Sequence, residues 1–142
     1  MTKTDLDYEV YMLQCDFKRY NGIKKSINRL INQINEIDYK MTGMASKGND
    51  GVPGTRGNPY VDNKNQFIVA KSRLQCRLKK ERLTLNILND YLKRMVPEDR
   101  KIIVDYYINH KTLRKVGEDN NYSKSSIERN IKAILKKVLQ EC

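Results

Sequence analysis

Polar side chains recur at spacings of four, three and four residues near the end of the chain. They are Ser125, Arg129, Lys132 and Lys136. At about 100° per residue these positions share one side of a helix, and apolar positions share the other. The apolar positions are Ile127, Ile131, Ile134 and Val138, with Leu135 at their flank. Small hydroxyls at the helix start can approach base edges, Arg129 can hydrogen-bond a guanine or a phosphate, and the lysines can contact the phosphate backbone.

The residues before this helix have the types expected of a tight turn between two helices. Thr112 and Ser123 can each cap a helix by accepting a backbone hydrogen bond. Asn121 tolerates a left-handed backbone, and Tyr122 is expected to act as an apolar plug. Gly117 is small enough for the first helix to cross the second. An ordinary amphipathic helix explains the periodicity alone, but this combination of residues favours a helix-turn-helix.

Residues 97–139 resemble the helix-turn-helix of sigma region 4. The shared features are a Pro-led helix ending in a Tyr-rich segment, a Ser/Thr-capped scanning helix, and a Ser-led recognition helix ending in a basic and apolar run. The layout of the whole chain resembles the ArpU/RinA-type transcriptional regulators of Gram-positive phages and prophages. This resemblance implies that Ser123 is the cap and that Lys124, Ser125, Ser126 and Arg129 lie nearest the bases.

Three residues differ from the usual pattern of such modules. Lys111 replaces leucine, Asn120 replaces an apolar residue, and Asn121 replaces the commoner glycine. We therefore expect the scanning helix to pack loosely or to accept a partner chain. The full set of predicted DNA-contacting residues is Lys124, Ser125, Ser126, Arg129, Lys132, Lys136, Arg114 and Lys115.

Two long heptad seams precede this module. The first is Tyr20, Ile23, Ile27, Leu30, Ile34, Ile37, Met41 and Met44, and a less regular apolar face formed by Leu6, Val10, Leu13 and Phe17 lies upstream of it. The second is Phe67, Leu74, Leu78, Leu85, Leu88, Leu92 and Met95, interrupted by Lys71 and Glu81. The seams predict helices from about residue 5 to 44 and from about 62 to 95, joined by a Gly-rich loop at 45–61. Matching seams favour a coiled-coil-like antiparallel hairpin, within one chain or between two copies.

The predicted fold is therefore all-α with two domains. Residues 1–95 form the long helical hairpin, and residues 96–142 form a three-helix helix-turn-helix domain. Pro97, followed by two acidic residues, is typical of a first helical turn and marks the start of the second domain.

The charge of the chain favours a polyanionic partner. The formal net charge is +11, and residues 45–96 carry eleven basic and four acidic side chains. Nucleic acid suits this balance better than a membrane, because no strongly apolar face accompanies the charge. The basic run within the second helix is nevertheless interpreted first as a solvated coiled-coil face. Lys47 and Arg56, in the Gly-rich loop, could also touch a phosphate backbone.

Catalysis and cofactor binding have little support in the sequence. His110 is the only histidine, and neither a Cys/His cluster nor a Ser/His/Asp arrangement is present. The Gly-rich loop lacks the phosphate-binding GxxxxGK[ST] pattern. Three widely spaced cysteines and the absence of a signal-like or membrane-spanning apolar run favour a reduced, cytoplasmic setting. We expect no enzyme, no metal and no cofactor.

The leading hypothesis is a sequence-specific, DNA-binding transcriptional regulator of phage or prophage origin that acts on late genes. Double-stranded DNA is the expected partner, and the long helices would serve self-association or contact with RNA polymerase. One alternative is a DNA-packaging protein resembling a small terminase subunit. Another is a helical protein-interaction module without specific DNA binding.

Overall fold

The computed structural model describes residues 3–48 and 59–141, which are helical apart from short connections. The described helices are α1 (Lys3–Lys18), α2 (Tyr20–Gly48), α3 (Pro59–Arg94), α4 (Pro97–Ile103), a π-helical turn here called the π-turn (Val104–Ile108), α5 (Leu113–Asp119) and α6 (Lys124–Gln140). The predicted all-α class is confirmed. Residues 49–58 of the Gly-rich loop, with Arg56, lie outside the described residues, as does the side chain of Lys47. None of the described helices has the length and hydropathy needed to cross a membrane.

The prediction of one continuous N-terminal helix is wrong, because the chain turns at Arg19. The buried apolar residues generally alternate spacings of three and four. Two spacings of three come together, from Phe17 to Tyr20 and from Tyr20 to Ile23. Consecutive short spacings move the apolar stripe around a regular helix. The interruption of the helix at Arg19 falls between these buried positions.

The chain forms two compact units. The first comprises residues 1–23 and 84–142, and the second comprises residues 24–83. The first unit therefore combines α5 and α6 with α1 and the last part of α3. The sequence-based division at residue 95 had grouped α1 with the hairpin instead.

The core of the first unit is built around α6, which packs against α1, α4 and α5. Its predicted apolar stripe is confirmed as buried: Ile127, Ile131, Ile134, Leu135 and Val138. On α1, Phe17 is fully buried, and its ring stacks on Tyr107 of the π-turn with 5.7 Å between centroids. Burial raises the pKa of Tyr107 to about 12. The aromatic pair joins α1 to the segment that leads into α5.

Two polar side chains secure helix ends in the first unit. Arg100 of α4 donates from Nε to the Leu92 carbonyl oxygen (2.8 Å) and from Nη2 to that of Met95 (3.1 Å). Carbonyls at a helix C-terminus lack partners within the helix, so a cation is well placed there. At the start of α2, the Asn21 amide donates to the Ile108 carbonyl oxygen at 2.7 Å.

In the second unit, α2 and α3 each contribute buried residues from the predicted seams. These are Ile27, Leu30, Ile34 and Leu78. Lys71, which interrupts the predicted seam of α3, places its Nζ 2.6 Å from Oδ1 of Asp38 on α2. Both side chains are partly exposed, so the ion pair contributes at most about 1 kcal/mol. Lys71 interrupts the apolar pattern of α3 and forms a specific ion pair with α2.

Candidate nucleic-acid interface

The turn between α5 and α6 is closed by a backbone contact at Gly117. The Tyr122 N–H donates to the Gly117 carbonyl oxygen at 2.7 Å. A Cβ atom at position 117 would lie 2.6 Å from the Tyr122 carbonyl oxygen, so the chain can approach this closely only at glycine. Asn121 has φ 62°, which confirms its predicted left-handed backbone. The need for a small residue at 117 thus arises from the turn itself, whereas we had expected a crossing of two helices.

Tyr122 is not an apolar plug, and that prediction is wrong. Its side chain is 47% exposed. The backbone of Tyr122, with its N–H bonded to Gly117 and its carbonyl oxygen beside the Gly117 Cα, occupies the inner side of the turn. The ring is therefore directed away from the core and is available at the surface.

Both predicted helix caps are confirmed. The Thr112 hydroxyl accepts from the Lys115 N–H at 3.1 Å, and the Ser123 hydroxyl accepts from the Ser126 N–H at 3.2 Å. The Ser123 hydroxyl also donates to the Ser126 hydroxyl at 2.9 Å. Each cap accepts a hydrogen bond from a backbone N–H at a helix N-terminus, where the helix itself provides no acceptor. They fix the residues at which α5 and α6 begin.

The polar face of α6 is accessible over most of its length. Lys124, Ser125, Arg129 and Lys132 are exposed, whereas Ser126 and Lys136 are half-buried. The helix carries five basic side chains against a single acidic one. Ser126 is partly occupied by the cap, which leaves Ser125 as the more accessible hydroxyl.

Lys136 lies at the edge of a groove between α1 and α6 that the sequence did not indicate. Its Nζ is 3.6 Å from Oδ1 of Asp7 on α1. Arg129, Lys132 and Lys136 line the groove from α6, and Asp7, Tyr11 and Gln14 line it from α1. Three of the predicted site residues of α6 therefore share a surface with α1. Periodicity could not find this surface, because α1 is more than a hundred residues earlier in the sequence.

The two predicted contacts on α5 are exposed but paired with acidic neighbours. Arg114 lies 3.5 Å from Glu118, and Lys115 lies 3.4 Å from Asp119. Both are pairs four residues apart on one helix and are weak at the surface. The net charge of α5 is consequently lower than that of α6.

Lys111 joins the π-turn to α5. Its Nζ is 3.5 Å from Oδ2 of both Asp105 and Asp119. Asp105 is buried, and this Oδ2 atom has no partner with hydrogen-bond geometry among the described residues, so the lysine serves it by charge alone. Partial desolvation opposes ionisation of Asp119, but Lys115 and Lys111 outweigh it and hold the pKa of that carboxyl below its ordinary value. Lys111 thus has an electrostatic role.

Asn120 is also accommodated by a local contact. Its side-chain amide donates to the Val116 carbonyl oxygen at 2.8 Å, one turn earlier in α5. The same carbonyl oxygen also accepts from the Asn120 backbone N–H at 3.2 Å, so the amide adds a second hydrogen bond at the end of α5. Val116 itself is fully buried.

We expect Gly117→Ala to lower the free energy of unfolding by about 1–3 kcal/mol, because the added methyl group meets the Tyr122 carbonyl oxygen. Gly22→Ala is the matched control, since a Cβ there meets nothing within 4 Å. That substitution should be neutral or stabilise by up to about 1 kcal/mol. Urea unfolding followed by circular dichroism measures both. Equal effects of the two substitutions would contradict the steric role of Gly117.

Lys111→Met should lower the free energy of unfolding by about 1–3 kcal/mol, because it leaves the buried Asp105 carboxylate without its cation. Lys115→Met is the control, since Lys115 pairs with Asp119 and not with Asp105. Both variants should raise the pKa of Asp119, which carboxyl-detected NMR titration measures. Because the folded-state pKa of Asp119 is lowered, its contribution to stability is present above the unfolded value of 3.8 and is lost as pH falls through the folded value. A smaller loss of stability for Lys111→Met than for Lys115→Met would contradict the role assigned to Asp105.

His110 is exposed in the connection before α5, with φ 56°, and its Nε2 lies 3.0 Å from the Asn21 amide. Within residues 3–48 and 59–141 there is no group of three or more side chains placed to hold a metal ion. Comparison of the chain with protein family models, curated proteins and solved structures gives no match.

Proposed function

We propose that this chain is a sequence-specific DNA-binding transcriptional regulator, with α5 as the scanning helix and α6 as the recognition helix of a helix-turn-helix. The observation that carries the proposal is the closed turn at Gly117 between two capped helices. This turn fixes the residue at which α6 begins. The exposed polar residues Lys124 and Ser125 come directly after its cap, Ser123.

The proposed contacts are divided by position along α6. Ser125 and Arg129 are exposed in its first turns and would meet base edges in the major groove, as would Lys124. Lys132 and Lys136, further along, would meet phosphates. Lys136 would first have to leave Asp7, a partner whose exposed ion pair is weak.

Arg114 and Lys115 of α5 would contact the phosphate backbone. In a helix-turn-helix the first helix crosses the backbone while the second lies in the groove. The acidic partners of Arg114 and Lys115 reduce the net attraction, so we assign these residues to orientation more than to affinity. The net charge of +11 supports a strong dependence of binding on salt.

The long helices would mediate self-association or contact RNA polymerase. An antiparallel hairpin of α2 and α3 has two supporting contacts, one in each unit: the Tyr20 hydroxyl donates to Asn89 Oδ1 at 2.6 Å, and Lys71 pairs with Asp38. A phage or prophage role at late genes rests on the resemblance to ArpU/RinA-type regulators.

Selection of duplexes from a random pool, followed by fluorescence anisotropy at several salt concentrations, tests the proposal. Wild-type protein should prefer a selected duplex over a scrambled one. Arg129→Ala should cost about 1–3 kcal/mol on the selected duplex and reduce the preference, because a base contact is lost. Arg77→Ala is the matched control: it removes an equal charge from an exposed site on α3.

We expect Arg77→Ala to leave the preference between the two duplexes unchanged. The proposal fails if the wild-type protein binds all duplexes equally, or if Arg129→Ala and Arg77→Ala are indistinguishable. Uniform binding would favour a helical interaction protein with only a general attraction to polyanions. A stable assembly larger than a dimer, measured by light scattering, would favour the DNA-packaging alternative.

A further inference from the structure

The groove between α1 and α6 combines the residues needed to hold phosphate oxygens. It is open and has a volume of about 520 Å³. Three cations line it from α6, and only one carboxylate, that of Asp7, lines it from α1. The lining therefore has an excess of two positive charges. The Tyr11 hydroxyl and the Gln14 amide add neutral hydrogen-bonding groups on the opposite wall.

We infer that α1 forms a second edge of the DNA-binding surface, in which Tyr11 and the cations Lys132 and Lys136 together hold backbone phosphates of one DNA strand, while Arg129 at the end of the groove remains a base contact. This inference rests on the proposed function and adds to it an element outside the helix-turn-helix. The strand would run along the groove beside the recognition helix. Because backbone phosphates are the same at every base pair, this edge increases affinity and carries no sequence preference.

Tyr11 is suited to such a contact. Its side chain is 60% exposed, so it reaches solvent without rearrangement of the core. Hydrogen bonding with Cys15, one turn along α1, raises the pKa of the Tyr11 hydroxyl above its ordinary value. A tyrosine hydroxyl is protonated at neutral pH even at that ordinary value of about 10. A protonated hydroxyl can donate to a phosphate oxygen.

Gln14 has a supporting position on the same wall. Its side chain hydrogen-bonds the buried Tyr107 hydroxyl, so it is tied to the aromatic core of the first unit. Phe17, one turn along α1, stacks on the same tyrosine. The groove wall formed by α1 is therefore packed against the π-turn, and α1 also packs against α6.

Asp7 opposes phosphate binding at the same groove. Its carboxylate lies 3.6 Å from Lys136, and the two side chains are 60% and 39% exposed. A phosphate could replace this carboxylate as the partner of the lysine, because an ion pair that is open to solvent is easily exchanged. Asp7 thus lowers the affinity for DNA uniformly across sequences.

The test uses fluorescence anisotropy of the full chain with two labelled duplexes, one selected and one scrambled. Tyr11→Phe should weaken binding about five-fold on both duplexes, and the salt slope should be unchanged because no charge is lost. Tyr8→Phe is the matched control: Tyr8 is 64% exposed on α1 but does not line this groove. It should bind both duplexes like the wild type.

Charge substitutions at the same positions give gains of affinity that a misfolded variant could not produce. Asp7→Asn should tighten binding about two- to five-fold on both duplexes by releasing Lys136. Tyr11→Arg should tighten binding more than Tyr8→Arg and should increase the salt slope by about one. Thermal melting checks that each variant is folded.

The two hypotheses fail in different ways. If the wild-type protein binds no duplex, the proposed function fails. If the wild-type protein binds DNA but Tyr11→Phe and Tyr11→Arg match their Tyr8 counterparts, the inference about α1 fails alone. A separate titration with tripolyphosphate tests a small-anion site: saturable binding that Lys132→Gln abolishes, with DNA affinity of Tyr11→Phe unchanged, would overturn the assignment to DNA.

Discussion

The close approach of Gly117 to the Tyr122 carbonyl oxygen is the constraint on which the candidate interface depends. A side chain at position 117 would force the turn apart, because its Cβ would lie 2.6 Å from that oxygen. The left-handed Asn121 reverses the chain beside this contact, and Ser123 then caps α6. The start and rotation of α6 follow from these three residues. Its apolar stripe meets the core, and its serines and cations meet solvent, only in this rotation.

The inclusion of α1 in the first unit explains how a short module obtains a core. The buried residues of α5 are only Val116 and Gly117. That helix removes little apolar surface from water, and hydrophobic stabilisation scales with the area buried. Packing of α1 against α6 and the stack of Phe17 on Tyr107 supply further burial.

Local features of the sequence predicted much of the fold, and contacts between distant segments were not predictable. The all-α class, the caps at Thr112 and Ser123 and the buried stripe of α6 each depend on residues within a few turns of one another, where periodicity and capping preferences act directly. The interruption at Lys71 could be recognised, but its partner Asp38 lies on a different helix. The groove formed by α1 and α6 was missed for the same reason. The burial of Tyr122 was predicted wrongly because an aromatic side chain in a turn can face the core or the solvent. Here the backbone of Tyr122 contacts Gly117 on the inner side of the turn, and the side chain is exposed.

The polar residues at unusual positions in α5 and its approach have a common physical explanation. Lys111 compensates the buried Asp105, and the Asn120 amide adds a second hydrogen bond to the Val116 carbonyl oxygen at the end of α5. Each contact replaces apolar burial with a directional or charged interaction, and a buried group left without such a partner would be costly. A leucine at position 111 would bury more apolar area but leave Asp105 without a cation. The segment that leads into α5 is therefore linked electrostatically to the π-turn through the ion pair of Lys111 with Asp105.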